Sequence, residues 1–173
     1  MPLTKICLHW SAGASCPCEV DLKSYHFVID ALGKVHQGHF KPEDNLICKP
    51  NKYAMHCGGG NTGCIGLSAL GMAGFNLNDK KTQYPLTKIQ IEAFCKLAAE
   101  LCLKYGIKVS PETVFTHHEF GQEHPKTTSY EKIDFTYLPF LPNLEKEKIG
   151  EFLRNKIGWY ILQNKKADCE QRA

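Results

Sequence analysis

The segment Thr116-His117-His118-Glu119-Phe120, followed downstream by Lys132-Ile133-Asp134, concentrates the chemistry of this chain. Imidazole nitrogens and carboxylate oxygens are ligands for Zn2+, and an ammonium can stabilise negative charge developing on an oxygen. A metal centre built there needs one more protein ligand from elsewhere. His9 offers it, near the end of the apolar run Ile6-Cys7-Leu8-His9-Trp10. Read alone, a histidine in that position is more often a satisfied core histidine. His117 and His118 are adjacent, so on a strand they face opposite sides; one reaches a given metal and the other supports it. Lys132 and Asp134 are separated by one residue, which in an extended segment places both side chains on one face. A surface ion pair between them is the competing reading. The separations of His9, His117 and Asp134 match no local zinc signature such as H-E-x-x-H.

These residues must be delivered by the elements around them. Residues 3–10 read as a buried strand, 25–30 as a second strand, and 34–38 as an arm pairing back on it. Residues 11–23, with Gly, Pro and Ser, read as a loop. Residues 40–53, with Pro42 and Pro50, are ambiguous. A glycine-rich loop at 56–63 precedes a strand at 64–70, and 72–85 is polar and loop-like. Thr87 opens the clearest helix, with Gln90 completing a capping box and Gly106 stopping it. Ile91, Phe94, Cys95, Ala98, Leu101, Cys102 and Tyr105 recur along it at helical spacing. Residues 114–116 form a short strand ending at His117, and 121–132 a polar loop. A last helix is expected over 144–163 with Asn143 as cap, followed by a frayed tail at 165–173. Strands interleaved with two long helices predict an α/β fold with a mixed central sheet flanked by helices. The length of 173 residues suits a single domain over 1–173.

Composition narrows the function classes. A net charge of +3 without an arginine-rich stripe predicts no nucleic-acid partner. No run is long and apolar enough for membrane insertion, and no signal peptide is evident, which predicts cytoplasmic synthesis. The 9 cysteines form no small disulfide scaffold and read as reduced thiols, with Cys16-Pro17-Cys18 as the one segment open to metal or disulfide chemistry.

The ordered pieces together resemble a known family. Leu8-His9-Trp10-Ser11-Ala12-Gly13, Tyr25-His26-Phe27-Val28-Ile29-Asp30, Gly33-Lys34-Val35, His56 with Asn61 and Ile65-Gly66, the helix from Thr87, His117-His118-Glu119 and Lys132-Ile133-Asp134 follow the order of the zinc-dependent N-acetylmuramoyl-L-alanine amidases. These share a fold with peptidoglycan recognition proteins, and the chain looks most like the small phage lysozymes of amidase type. The resemblance spans about residues 3–138. It implies Zn2+ held by His9, His117 and Asp134, with Tyr25 and Lys132 catalytic and His56 and Asn61 at the substrate groove. Some relatives carry a glutamate on the strand after Ile-Gly; here that position is Ser68, which turns the expectation toward Tyr25. The implied reaction is hydrolysis of the amide between N-acetylmuramic acid and L-alanine in peptidoglycan or muropeptides. The implied role is a phage or prophage endolysin, released to the wall by a partner such as a holin. A non-catalytic peptidoglycan-binding module and a cytoplasmic amidase recycling anhydro-muropeptides are the alternatives.

Overall fold

A computed structural model of the chain describes residues 2–170. Its centre is a five-stranded mixed sheet. The strands are β1 (Lys5–Trp10), β2 (Phe27–Ile29), β3 (Val35–Gln37), β4 (Cys64–Ala69) and β5 (Val114–Thr116), in the spatial order β3-β2-β4-β1-β5. β1 runs parallel to β4 and β5, β2 runs parallel to β4, and β3 closes one edge as an antiparallel hairpin arm. The helices are α1 (Glu19–Ser24), α2 (Lys88–Tyr105), α3 (His117–Glu123) and α4 (Lys146–Glu170), and Pro42–Leu46 forms a 3-10 turn.

Alternation along β1 and β4 divides the protein into two halves. Ile6, Leu8 and Trp10 face one side with Ile65, Leu67 and Ala69, and there they join Phe94, Ala98, Ile149, Leu153 and Ile157 in the main core. The opposite side receives Cys7 and His9 from β1, paired in register with Gly66 and Ser68 of β4. Both faces are buried, one under α2 and α4, the other under loops. The larger apolar face therefore anchors the sheet, and the second face combines His9 and Ser68 with a smaller apolar cluster of Cys7, Cys57, Cys64, Phe115 and Phe120.

α2 forms as its sequence dictates. The Thr87 hydroxyl accepts from the Gln90 N–H at 3.2 Å, and Gly106 ends the helix in the left-handed region at φ 66°. Gln90 does more than cap. Its buried amide donates to the carbonyls of Ile29 and Leu70, both at 2.8 Å, tying the helix start to the ends of β2 and β4.

Several elements differ from the sequence reading. Residues 19–24 are helical because Asp21 folds back to accept from the Cys18 N–H at 3.1 Å, a local cap inside a stretch rich in loop formers. Tyr25 is consequently the C-terminal cap of α1 and not a strand residue. His117–Glu123 is a helix in place of a strand end and loop. α4 begins at Lys146, beyond Asn143, and continues through Glu170, so residues 165–170 are helical where a frayed tail was expected; 171–173 lie outside the described residues. The eight described cysteines are free, with Cys16 and Cys18 exposed. No helix among the described residues is long and apolar enough to cross a membrane.

His26 locks the short β2 to its surroundings. The Gly66 N–H donates to its Nδ1 at 2.8 Å, so Nδ1 carries no proton, and Nε2 donates to Asn45 Oδ1 at 3.0 Å. Burial pushes its pKa down to about 4, since a charged imidazole would lose solvation and the Gly66 bond. The folded pKa lies below the unfolded one, so the stability is complete above about pH 6.5 and declines as pH falls toward 4. Urea unfolding at pH 7 and pH 5 is expected to show the chain losing about 2 kcal/mol more than His26→Gln over that interval. Equal losses in the two proteins would exclude His26 as the titrating group.

Candidate metal centre

Three elements distant in sequence bring the site together. β1 delivers His9, α3 delivers His117 at its first residue, and a turn at 131–136 delivers Asp134. His9 Nδ1 lies 3.0 Å and His117 Nδ1 2.9 Å from the same atom, Asp134 Oδ2. The His9 and His117 rings are 4.5 Å apart, edge to face. All three residues are buried, at 0%, 6% and 8% exposure.

Each ligand is held by local structure. α3 has seven residues, too few to be stable as an isolated helix. Its first turn is fixed by Thr116 and Glu119: the Glu119 N–H donates to Thr116 Oγ1 at 3.1 Å, and Glu119 Oε2 accepts from the Thr116 N–H at 2.8 Å. Arg154 of α4 grips both Glu119 oxygens at 2.9 Å and also reaches the Val114 carbonyl at 3.1 Å. A bidentate, partly buried pair of this kind is stronger than a neutral hydrogen bond. Gly150 leaves the space for the Glu119 carboxylate. Asp134 is positioned by its neighbour Phe135, which is buried against Trp10 and Phe94 with ring separations of 6.0 and 5.4 Å. Phe135 adopts φ 62°, a conformation unusual for a bulky residue, and the burial of its ring holds it there.

His118 does not approach the centre. Its Nδ1 donates to the Lys132 carbonyl at 2.7 Å, fastening the 132–134 segment to α3. Lys132 itself is exposed, whereas Asp134 is buried. The one-face expectation for this pair fails because the backbone turns at Asp134 and does not remain extended. The competing expectation of a Lys132–Asp134 ion pair fails too: no such pair forms among the described residues. The Tyr25 ring lies 5.1 Å from the His9 ring. Burial, then the Asp134 charge, pushes the Tyr25 phenol far above its ordinary pKa, with the nearby Ser68 hydroxyl opposing this in part. Tyr25 therefore keeps its proton and can donate it in a hydrogen bond.

His56 and Asn61, expected at the substrate groove, both belong to the glycine-rich loop. His56 is buried behind His9, with its Nδ1 3.2 Å from His9 Nε2 and its Nε2 3.3 Å from the Cys64 carbonyl. Asn61 Oδ1 accepts from the His56 and Cys57 N–H groups at 3.0 and 2.9 Å, folding the glycine-rich loop onto itself. Ser129 escaped the sequence reading altogether: it is fully buried, and its hydroxyl lies 2.9 Å from His117 Nε2. A lone serine in a polar loop carries no periodic or motif signal.

The donor set fits a zinc ion. One ligand atom each from His9, His117 and Asp134 lie within 4.8 Å of one another, two imidazole nitrogens and one carboxylate oxygen, which are ligand types that zinc takes. Electron-rich atoms aimed at one point require positive charge between them. The same demand appears in the titration of the groups. Burial pulls His117 down, but its bonds to Asp134 and Cys57 raise it to about 9. Burial works against ionised Asp134, yet its histidine partners hold it below the usual carboxylate range. Ser68 Oγ, buried beside this cluster and close to the Tyr25 phenol, makes no hydrogen bond of ordinary length among the described residues. A second trio, Cys7, His9 and His56, also comes within 4.8 Å, but it uses the opposite edge of His9, and burial holds the Cys7 thiol protonated.

Gly66 makes this packing feasible. A Cβ there would overlap the His56 ring. Gly66→Ala is expected to destabilise the protein by about 1–3 kcal/mol through overpacking, read from urea unfolding. A cost within error of zero would mean that His56 is not seated on Gly66.

Comparison with known proteins follows the geometry. The profile of the family described as N-acetylmuramoyl-L-alanine amidase matches residues 1–131, a span that includes His9, Tyr25, His56 and His117 and ends before Lys132 and Asp134. No curated protein matches the chain. Among solved structures, the N-acetylmuramoyl-L-alanine amidase LysC from Clostridium intestinale is 17% identical, with a TM-score of 0.49 over 88% of this chain and 85% of that one. The Drosophila peptidoglycan recognition protein SD is also 17% identical, with a TM-score of 0.46 over 73% and 75%. AmiD from E. coli is 18% identical, with a TM-score of 0.45 over 66% and 48%. On the extent of the profile match, this chain belongs to the N-acetylmuramoyl-L-alanine amidase family.

Proposed function

We propose that the chain is a zinc-dependent amidase that hydrolyses the bond between N-acetylmuramic acid and L-alanine in peptidoglycan. The observation that carries this reading is the convergence of His9 Nδ1, His117 Nδ1 and Asp134 Oδ2 on one point. His9, His117 and Asp134 would hold the ion, a three-ligand set of the kind that catalytic zinc sites use. Zinc supplies Lewis acidity there, polarising an amide carbonyl and acidifying water at neutral pH.

The remaining roles fall to this chain's own side chains. Tyr25, protonated and close to His9, donates a hydrogen bond to the reacting oxygen. Lys132 brings an ammonium on a flexible stem from two residues before Asp134 and offsets charge growing on the carbonyl oxygen. Ser68 is too short and too weakly basic to act as the general base that a carboxylate would provide. The full ligand set favours an enzyme over a recognition module that holds peptidoglycan without cutting it. The finer reading as an endolysin, assisted by a holin and acting on intact wall, rests on the sequence resemblance.

Incubation with purified sacculi is expected to release new L-alanine amino termini without new reducing sugar ends. A chelator should abolish the release and added zinc restore it. His117→Ala should be inactive, and Lys132→Met should lower kcat by about 100-fold with the fold retained. Full activity in His117→Ala would remove that ligand from the site, and an unchanged kcat in Lys132→Met would remove the lysine from the reaction. Turnover on intact sacculi exceeding that on soluble anhydro-muropeptides would support the lytic role; the reverse would favour recycling.

A further inference from the structure

We propose that the glycine-rich loop at 56–63 sets the tautomer of both metal-binding imidazoles, acting through His56 on His9 and through Ser129 on His117. His56 and Ser129 are then positioning residues and not substrate contacts. The inference rests on the zinc reading above and follows from counting protons along two hydrogen-bond chains.

The first chain ends on a carbonyl. The Cys64 carbonyl can only accept, so His56, 3.3 Å away, presents its proton on Nε2. A neutral imidazole has one ring proton, which leaves His56 Nδ1 bare. That bare nitrogen faces His9 Nε2 at 3.2 Å. His9 must therefore carry its proton on Nε2, and its Nδ1 lone pair is left pointing at Asp134. The second chain ends the same way. The Ser129 hydroxyl gives its single proton to the Gly58 carbonyl at 2.8 Å. Its oxygen can then only accept from His117 Nε2 at 2.9 Å, so His117 keeps a proton on Nε2, and Nδ1, toward Asp134, is the nitrogen that gives up its proton when a cation binds.

Both chains lead back to one loop. His56 belongs to it, and Gly58 supplies the carbonyl that orients Ser129. Asn61 holds the loop's form by accepting from the His56 and Cys57 N–H groups. Burial agrees with this assignment: Ser129 is fully buried, and both ring nitrogens of His56 are engaged by His9 and the Cys64 carbonyl. A proton on either Nδ1 would occupy the lone pair that the cation needs. Outer partners that fix the tautomer of metal-binding histidines typically alter metal affinity by about 10- to 100-fold when removed.

The experiment pairs two measurements. Nitrogen-15 spectra of the ring nitrogens, taken with and without zinc, are expected to show His9 and His117 protonated on Nε2 and, with zinc, coordinated through Nδ1. Zinc competition against a chromophoric chelator is expected to give a Kd about 10- to 100-fold weaker in His56→Leu, and within about threefold of the parent in His56→Asn, whose Oδ1 replaces the lost acceptor. Rings without a proton on Nε2, coordination through Nε2, or a folded His56→Leu with parental zinc affinity would overturn the proposal. If His56→Leu does not fold, the ring spectra of the unaltered chain decide alone. Failure of the unaltered chain to bind zinc would count against the metal reading, while wrong tautomers in the metal-free chain would count against the loop's role.

Discussion

Two imidazole nitrogens and a carboxylate oxygen are held on one point, and unless a cation or ring protons shared with Asp134 lie between them they repel one another. Such a cluster persists only if its supports outweigh the repulsion, and much of the molecule can be understood as that support. The sheet's apolar face buries Ile6, Leu8, Trp10, Ile65 and Leu67 against α2 and α4, which fixes the backbone of β1 and β4. With those strands immobile, the opposite face can carry His9 and Ser68 where an isolated hairpin could not. Polar groups gathered on one face of a sheet are tolerable when the other face supplies the hydrophobic driving force.

α3 and the Asp134 turn solve a second problem, that of holding ligands on segments with little stability of their own. Arg154 reaches from α4 to both oxygens of Glu119, and Glu119 caps the helix that begins with His117. Phe135 does the corresponding work for Asp134 by inserting its ring between Trp10 and Phe94. In both cases an adjacent residue bonds or packs into the rigid part of the molecule, and the ligand is carried with it. α4 lies beyond the span of the family match, so part of the support for His117 comes from outside that span.

The sequence and the structure part in specific places. α2 was legible because its capping box, apolar spacing and terminal glycine all agree, and such local agreement leaves few alternatives. β1 and β4 were legible as apolar runs of strand length. α1 and α3 were not: each is a single short helix whose cap comes from a side chain three residues on, inside a segment rich in loop formers. The separation of Lys132 from Asp134 was hidden because the period-two rule presumes an extended chain, and here the chain turns. His56 and Asn61 were placed at the groove by resemblance; in the structure His56 is buried against His9 and Asn61 holds the backbone of the loop that carries it.

By itself the amino-acid sequence determined the kind of chemistry: two imidazoles, a carboxylate, a phenol and an ammonium in a fixed order, on a scaffold of alternating strands and helices. Residue type sets which atoms can bind a cation, and local spacing sets the elements that carry them. Only the tertiary structure decided which nitrogen of each histidine faces the centre, that Ser129 stands behind His117, and that Asp134 is buried while Lys132 is exposed. Those are matters of direction and burial between residues 12 to 125 apart in sequence, and no local pattern encodes them. They follow from the packing of the sheet, the Arg154 clamp and the Phe135 anchor acting together.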